Sequence, residues 1–331
     1  MRFSGKKVVV TGADGFIGSH LVERLVAAGA RVRALAFYNS WGSSGWLEDV
    51  PAETLRSVEI VHGDIRDAGM VASLLRGQEL VFHLASLIGI PYSYAAPRSY
   101  VDTNVTGTLN VLEACRGSDT LERLIHTSTS EVYGSARHVP IDEGHPLTGQ
   151  SPYSASKIAA DKMAESYHLS FGLPVVTARP FNTFGPRQTA RAIIPTVIAQ
   201  VLSGAPVLRL GALDPTRDFN YVGDTVEGFL ALAGAEGVVG RTLNIGSGSE
   251  VSIGDTVALI MRLCGREVPI QQDDQRLRPA ASEVERLLAD NRLIRELTGW
   301  SPQVGFQEGL RRTIDWIGRN PNRFSPQEFA R

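Results

Sequence analysis

The side chains in this sequence best spaced to do chemistry are Tyr153 and Lys157, within Ser151-Pro152-Tyr153-Ser154-Ala155-Ser156-Lys157. Ser151 can cap a helix and Pro152 suits its first turn, so the pair falls at i and i+4 on one face. A free phenol has a pKa of about 10 and is a poor base at neutral pH. A neighbouring ammonium favours the phenolate, which makes proton abstraction from an alcohol feasible. Ordinary amphipathic helices carry the same spacing, so its meaning depends on the elements around it.

Those elements read as alternating strands and helices. Val8-Val9-Val10 is a short buried strand, followed by Thr11-Gly12-Ala13-Asp14-Gly15-Phe16-Ile17-Gly18 and a helical pattern in Leu21, Val22, Leu25 and Val26. A turn with Gly12, Gly15 and Gly18 lets backbone amides approach a pyrophosphate, and the helix start at Phe16 and Ile17 favours negative charge. A tight turn without a ligand is the plainer alternative. The second strand, Arg31 to Ala36, ends where a dinucleotide fold places an acid for the adenosine ribose. Here Ala36-Phe37-Tyr38-Asn39 follows, with no arginine immediately downstream for a 2′-phosphate, so NAD and NADP both stay open. The third strand, Val58 to His62, runs into Gly63, Asp64 and Ile65, where Asp64 can meet an adenine amino group or cap the next helix. The fourth, Leu80 to Ser86, finishes in Leu84, Ala85 and Ser86, small enough for a flat ring to lie against, with His83 as a core histidine. A long helix from Pro97 to Cys115 contains Asn104, and a fifth strand, Arg123 to Ser128, delivers Thr129, Ser130 and Glu131 to the same edge. This alternation implies an α/β fold, a Rossmann-type doubly wound parallel sheet with ligands at the carboxyl ends of its strands.

The composition agrees with a compact soluble protein. At 331 residues, 43% hydrophobic, 21% charged and net charge −2, the chain is neither disordered nor a nonspecific nucleic-acid binder. Cys115 and Cys264 stand far apart and offer no disulfide framework and no metal cluster. The apolar run behind Lys6 and Lys7 stops at Thr11-Gly12, too short for a secretion signal or a membrane span, so a cytoplasmic protein is expected.

The motifs together resemble the extended short-chain dehydrogenase/reductases of the NAD-dependent epimerase/dehydratase family. The resemblance rests on the glycine turn, Thr129-Ser130-Glu131-Val132-Tyr133-Gly134, Tyr153-x-x-x-Lys157 and Arg179-Pro180-Phe181-Asn182-x-x-Gly185-Pro186-Arg187. It continues through Arg217-Asp218-Phe219-x-Tyr221, Asn244-Ile245-Gly246-Ser247-Gly248 and Arg278-Pro279, nearly the whole chain. Ala36 departs from the acid common in NAD-using relatives. Ala34 to Ser40 and Ile90 to Tyr94 look most like the dehydratases acting on nucleotide-linked N-acetylglucosamine in legionaminic acid synthesis.

The resemblance implies a tightly held NAD, or NADP, reduced and reoxidised within one turnover. Tyr153 would take the proton of the sugar 4-hydroxyl, Lys157 would hold the nicotinamide ribose, and Thr129 would bond the same oxygen. Glu131 would be the base at carbon 5, unless it caps a helix or forms an ion pair. Ser130 stands where many hexose dehydratases carry an aspartate acid, whereas those acting on guanosine-linked sugars carry serine. Asn182, Arg187, Arg217 and Arg278 would bind the substrate diphosphate. Residues 1–178 with about 221–246 would bind the cofactor, and 179–220 with 247–331 would form a smaller, discontinuous substrate-binding lobe. A homodimer through the Pro97 to Cys115 and Pro152 to Phe171 segments is implied. The expected reaction is 4,6-dehydration of a nucleotide-linked N-acetylglucosamine or hexose. Uronic acid decarboxylation, 4-epimerisation and a non-enzymatic nucleotide-binding regulator are the alternatives.

Overall fold

The computed structural model describes residues 3–277 and 279–324. Short runs of branched apolar residues, buried on both faces except at the edge strand Val58–Gly63, form strands of a parallel sheet. These are β1 (Lys7–Thr11), β2 (Arg31–Phe37), β3 (Val58–Gly63), β4 (Leu80–His83), β5 (Arg123–Thr127), β6 (Val175–Pro180) and a last strand, Thr242–Ile245. Across the sheet the order is β3, β2, β1, β4, β5, β6 and then Thr242–Ile245, every pairing parallel. The order reverses between β1 and β4, the crevice where such sheets bind ligands.

Helices Phe16–Ala27 and Val222–Gly234 share one apolar cluster with Val8, Val10, Phe82 and Ile125, while Gly107–Arg116 and Pro152–Phe171 bury Val111, Leu112 and Ala164 with Val9, Val81 and Leu124 in another. A separate cluster, built from Phe184, Ile194, Val197, Ile198, Val257, Ile260 and Leu310, gives the later part of the chain its own core. Three small strand pairs edge it: Asn182–Phe184 with Phe219–Tyr221, Thr216–Arg217 with Val251–Ser252, and Leu208–Leu210 with Ile270–Gln272. Helix Arg292–Thr298, by contrast, packs Ile294 into the first cluster.

Two expectations change. The helix expected from Pro97 to Cys115 is interrupted by a π-helical segment, Val101–Thr106, which carries Asn104. The fourth strand ends at His83, so Leu84 to Ser86 lie in a loop whose amides are gathered at the crevice.

Candidate active site

Helix Pro152–Phe171 begins as its sequence requires. Ser151 accepts the Ser154 amide and Ser154 accepts the Ser151 amide, a reciprocal cap, with Pro152 in the first turn. Tyr153 and Lys157 are both buried. The Thr129 hydroxyl hydrogen-bonds the Tyr153 phenol and also accepts the Glu131 amide (3.2 Å). Glu131 follows on the tight turn Ser130–Tyr133, pinned by buried Val132 and Tyr133, whose hydroxyl donates to Asn244 Oδ1 (2.8 Å). Thr129, Glu131 and Tyr153 thus meet at the carboxyl end of β5. Ser130 is buried on the same turn.

The electrostatics differ from the sequence expectation. Burial raises the Tyr153 pKa, the Thr129 bond opposes that rise, and the Glu131 charge adds to it. Lys157 directs its ammonium to the Thr127 carbonyl (2.6 Å), and burial lowers its pKa to about 8. Desolvation therefore outweighs the benefit of the i+4 spacing in the protein alone.

Beneath this pair lies a buried network that sequence reasoning missed. Asp161, four residues after Lys157, accepts His126 Nε2 (3.0 Å), Ser128 Oγ (2.6 Å) and Arg179 Nη2 (2.8 Å). Burial alone would raise the Asp161 pKa. The His126 bond and the Arg179 and Lys157 charges overcome it and hold the carboxylate well below its usual range. The i+4 step from Lys157 was the available signal. Asn104 was noticed in the sequence without a role. It accepts from Ser86 Oγ (3.0 Å) and the Leu87 amide (2.8 Å), and donates to the Leu87 carbonyl (2.9 Å) and Ser156 Oγ (2.9 Å). The π-helical segment therefore ties the loop after β4 to the Tyr153 helix.

The glycine turn faces the same crevice. Gly12 adopts φ +67°, and a Cβ there would lie 2.7 Å from the Ala85 amide nitrogen, which locks the turn to the loop after β4. A Cβ on Gly18 would lie 2.1 Å from the Gly12 carbonyl. The close approach presents the first-turn amides of helix Phe16–Ala27, which has no side-chain cap, to the crevice. Thr11 completes it, accepting the Leu84 and Ala85 amides (both 3.1 Å) and bonding His83 Nδ1 (2.8 Å), so His83 is a core residue as expected. This cradle fits a dinucleotide pyrophosphate, with Gly12, Gly15, Phe16, Ile17, Gly18, Leu84, Ala85 and Ser86 along its wall. Asp64 does not cap the next helix; Asp67 does, accepting the Met70 amide (2.9 Å), while Asp64 pairs with Arg66 (2.5 Å). Ile65 is buried against the helix that follows Asn104.

The expected substrate residues divide. Arg217 is buried at the end of the short strand Thr216–Arg217, with Nη2 3.2 Å from Glu283, and the next residue, Asp218, staples this segment by accepting the Ser247, Gly248 and Ala289 amides. Asn182 is half-buried, and its Oδ1 accepts no hydrogen bond from any described residue. Arg187 turns away from the expected diphosphate role. At φ +67°, it pairs with Glu23 (2.6 Å) of the glycine-turn helix, which docks the later core onto the sheet. His20 reinforces that contact through the Pro186 carbonyl (3.0 Å). Arg278 lies outside the described residues.

Comparison with known proteins agrees with this geometry. Residues 9–313 match the GDP-mannose 4,6 dehydratase family. The chain is 33% identical to a dTDP-glucose 4,6-dehydratase of Xanthomonas campestris, over 94% of this chain and 93% of that one. It is likewise 33% identical to one of Actinoplanes, over 95% and 98%. Among solved structures, a dTDP-glucose 4,6-dehydratase from Streptomyces venezuelae with NAD bound superposes with a TM-score of 0.85 at 33% identity, covering 97% of this chain and 99% of that chain. A UDP-glucuronic acid 4-epimerase from Bacillus cereus does so at 0.85 and 28%, covering 95% and 99%. With the Tyr153 and Lys157 pair, the Glu131 turn and the glycine cradle arranged at one crevice, the chain belongs to the GDP-mannose 4,6-dehydratase family of extended short-chain dehydrogenase/reductases, enzymes that dehydrate or epimerise nucleotide sugars.

Proposed function

We propose that this protein is a nucleotide-sugar 4,6-dehydratase that forms a 4-keto-6-deoxy sugar from a nucleotide-linked N-acetylglucosamine or hexose, with NAD as resident cofactor. NAD would accept the hydride from carbon 4 and return it to carbon 6. Tyr153 takes the proton of the 4-hydroxyl, with Thr129 bonded to the phenol and Lys157 supplying positive charge below pH about 8. The ketone acidifies the hydrogen on carbon 5. Glu131 removes that proton and passes it to the departing 6-hydroxyl, which leaves as water, and carbon 5 is reprotonated from solvent. Ser130 offers no carboxylic acid for the leaving group, so Glu131 serves both steps. Asn182 and Arg217 bind the diphosphate, a role also assigned to Arg278 by its motif.

The observation that supports this reading most is the shared Thr129 hydroxyl, which accepts the Glu131 amide and bonds Tyr153. A 4-epimerase needs no carbon 5 base. The likeness to a UDP-glucuronic acid 4-epimerase keeps epimerisation as the second reading. Mass spectrometry after incubation with a panel of nucleotide sugars in deuterated water tests both. Dehydration yields a product lighter by one water and labelled at carbon 5. An unlabelled isomer of unchanged mass, or carbon dioxide from a uronic acid with no dehydrated hexose, would overturn the assignment.

The sheet, residues 1–178 with about 221–246, would hold the cofactor, and 179–220 with 247–331 the nucleotide sugar. We also propose a homodimer through the Pro97 to Cys115 and Pro152 to Phe171 helices, which expose Val101, Leu169 and Phe171. No helix among the described residues is long and apolar enough to cross a membrane. A cytoplasmic setting suits the free thiols of Cys115 and Cys264.

A further inference from the structure

Strand β2 has no carboxylate of its own where the adenosine ribose of a dinucleotide would lie, and Ala36 is fully buried there. A carboxylate reaches that strand end from elsewhere. Asp14, the residue before Gly15, extends its side chain to β2 and accepts the Phe37 amide at Oδ2 (3.1 Å). The loop after β2 folds over it. Trp46 donates its amide to the Asp14 carbonyl (2.9 Å), and a Cβ on Gly45 would lie 2.6 Å from that same oxygen. Among the described residues no lysine or arginine pairs with Asp14; its hydrogen bonds come from the Phe37 amide and its own. The carboxylate at the next strand end, Asp64, is already engaged by Arg66. Phe37 and Tyr38, beside Asp14, are 55% and 66% exposed, a flat apolar surface for a base.

We infer that Asp14 is the acceptor for the adenosine ribose hydroxyls, and therefore the residue that selects NAD over NADP. The inference rests on the reading of this chain as a dinucleotide enzyme. Vicinal hydroxyls can both donate to a carboxylate, which has about four lone-pair sites, of which the Phe37 amide and the Asp14 amide occupy part and leave room for both hydroxyls. A 2′-phosphate would set like charges against each other at a site where, among the described residues, no lysine or arginine pairs with the acid. The acid thus comes from the glycine turn, and the turn that cradles the pyrophosphate also reads the ribose.

The test is calorimetric titration of NAD and NADP into charcoal-treated wild-type, Asp14→Asn and Asp14→Ala proteins at pH 8 and fixed ionic strength. Wild type should favour NAD by about tenfold or more, the value of one charge-assisted hydrogen bond. Asp14→Asn keeps the shape, removes the charge and offers an amide donor, so the NAD-to-NADP preference should fall about tenfold. Asp14→Ala should weaken NAD binding by about the same factor. A carboxylate that only braces the Phe37 amide would weaken both nucleotides equally, and a preference within about twofold of wild type in Asp14→Asn would overturn the inference. Wild type alone also decides: NADP binding as tight as NAD binding would overturn it without any variant. Wild type that binds neither nucleotide would overturn the dinucleotide reading itself, a distinguishable failure.

Discussion

Asp161→Asn is the sharpest test of how the catalytic pair is supported. Three donors, from His126, Ser128 and Arg179, converge on the two Asp161 oxygens at 2.6 to 3.0 Å, and Arg179 is only 3% exposed. An asparagine presents one acceptor and one NH2, so either the NH2 faces the Ser128 and Arg179 donors or His126 must switch tautomer to accept it, and in both cases the guanidinium would lose its counter-charge. Removing one partner of a buried pair costs roughly 3 to 5 kcal/mol. A cavity of 490 Å³ lined by Asp161, Arg179, Glu143 and His168 allows water to solvate part of the orphaned charge, which favours the lower end, about 3 kcal/mol. Urea unfolding followed by circular dichroism reads this loss, with Glu165→Gln as control, because the Lys162 to Glu165 pair is exposed on the same helix and contributes well under about 1 kcal/mol. The substitution should also act on chemistry. Asp161 is the charge that raises the Lys157 pKa against burial, so its neutralisation lowers that pKa further below 8 and moves the alkaline limb of the activity profile to lower pH. A stability loss under about 1 kcal/mol together with an unmoved limb would refute the reasoning.

In the wild type, Lys157 is charged below pH about 8 and neutral above it, so turnover should fall as pH rises through 8; activity flat to about pH 10, near the unperturbed lysine value, would contradict this role. Stability runs the other way. The folded pKa lies below the ordinary lysine value of 10.5, the unfolded chain binds more protons between these two values, and chemical denaturation should show stability rising over that window. Tyr153→Phe should keep the ring packed against Tyr100 and lower turnover on the order of a hundredfold or more, with cofactor affinity unchanged by titration. Arg217→Ala should raise KM about tenfold or more with kcat little changed, as steady-state kinetics would report.

The strands and the catalytic helix were legible because their signals are local. Val8 to Val10 and Leu80 to His83 are continuous apolar runs, and the Ser151 cap, Pro152 and the i+4 spacing specify the helix and the shared face of Tyr153 and Lys157 within seven residues. The glycine spacing announced a close turn in the same way. The interruption at Val101–Thr106 had no such mark, since a π segment arises where Asn104 must meet both Leu87 and Ser156.

By itself, then, the sequence determined the order of strands and helices and the family, and it singled out the candidate reacting groups, because periodicity, capping and short motifs act over a few residues. Only the tertiary structure decided which charges meet. Arg187 found Glu23, 164 residues away, instead of an open anion site, and Asp161 met Arg179 and His126 from two neighbouring strands. It also decided the protonation of the site. Desolvation grows with the packing of the whole fold, so the same i+4 pair that suggests an activated phenol is, once buried, a raised tyrosine beside a lysine lowered to about 8.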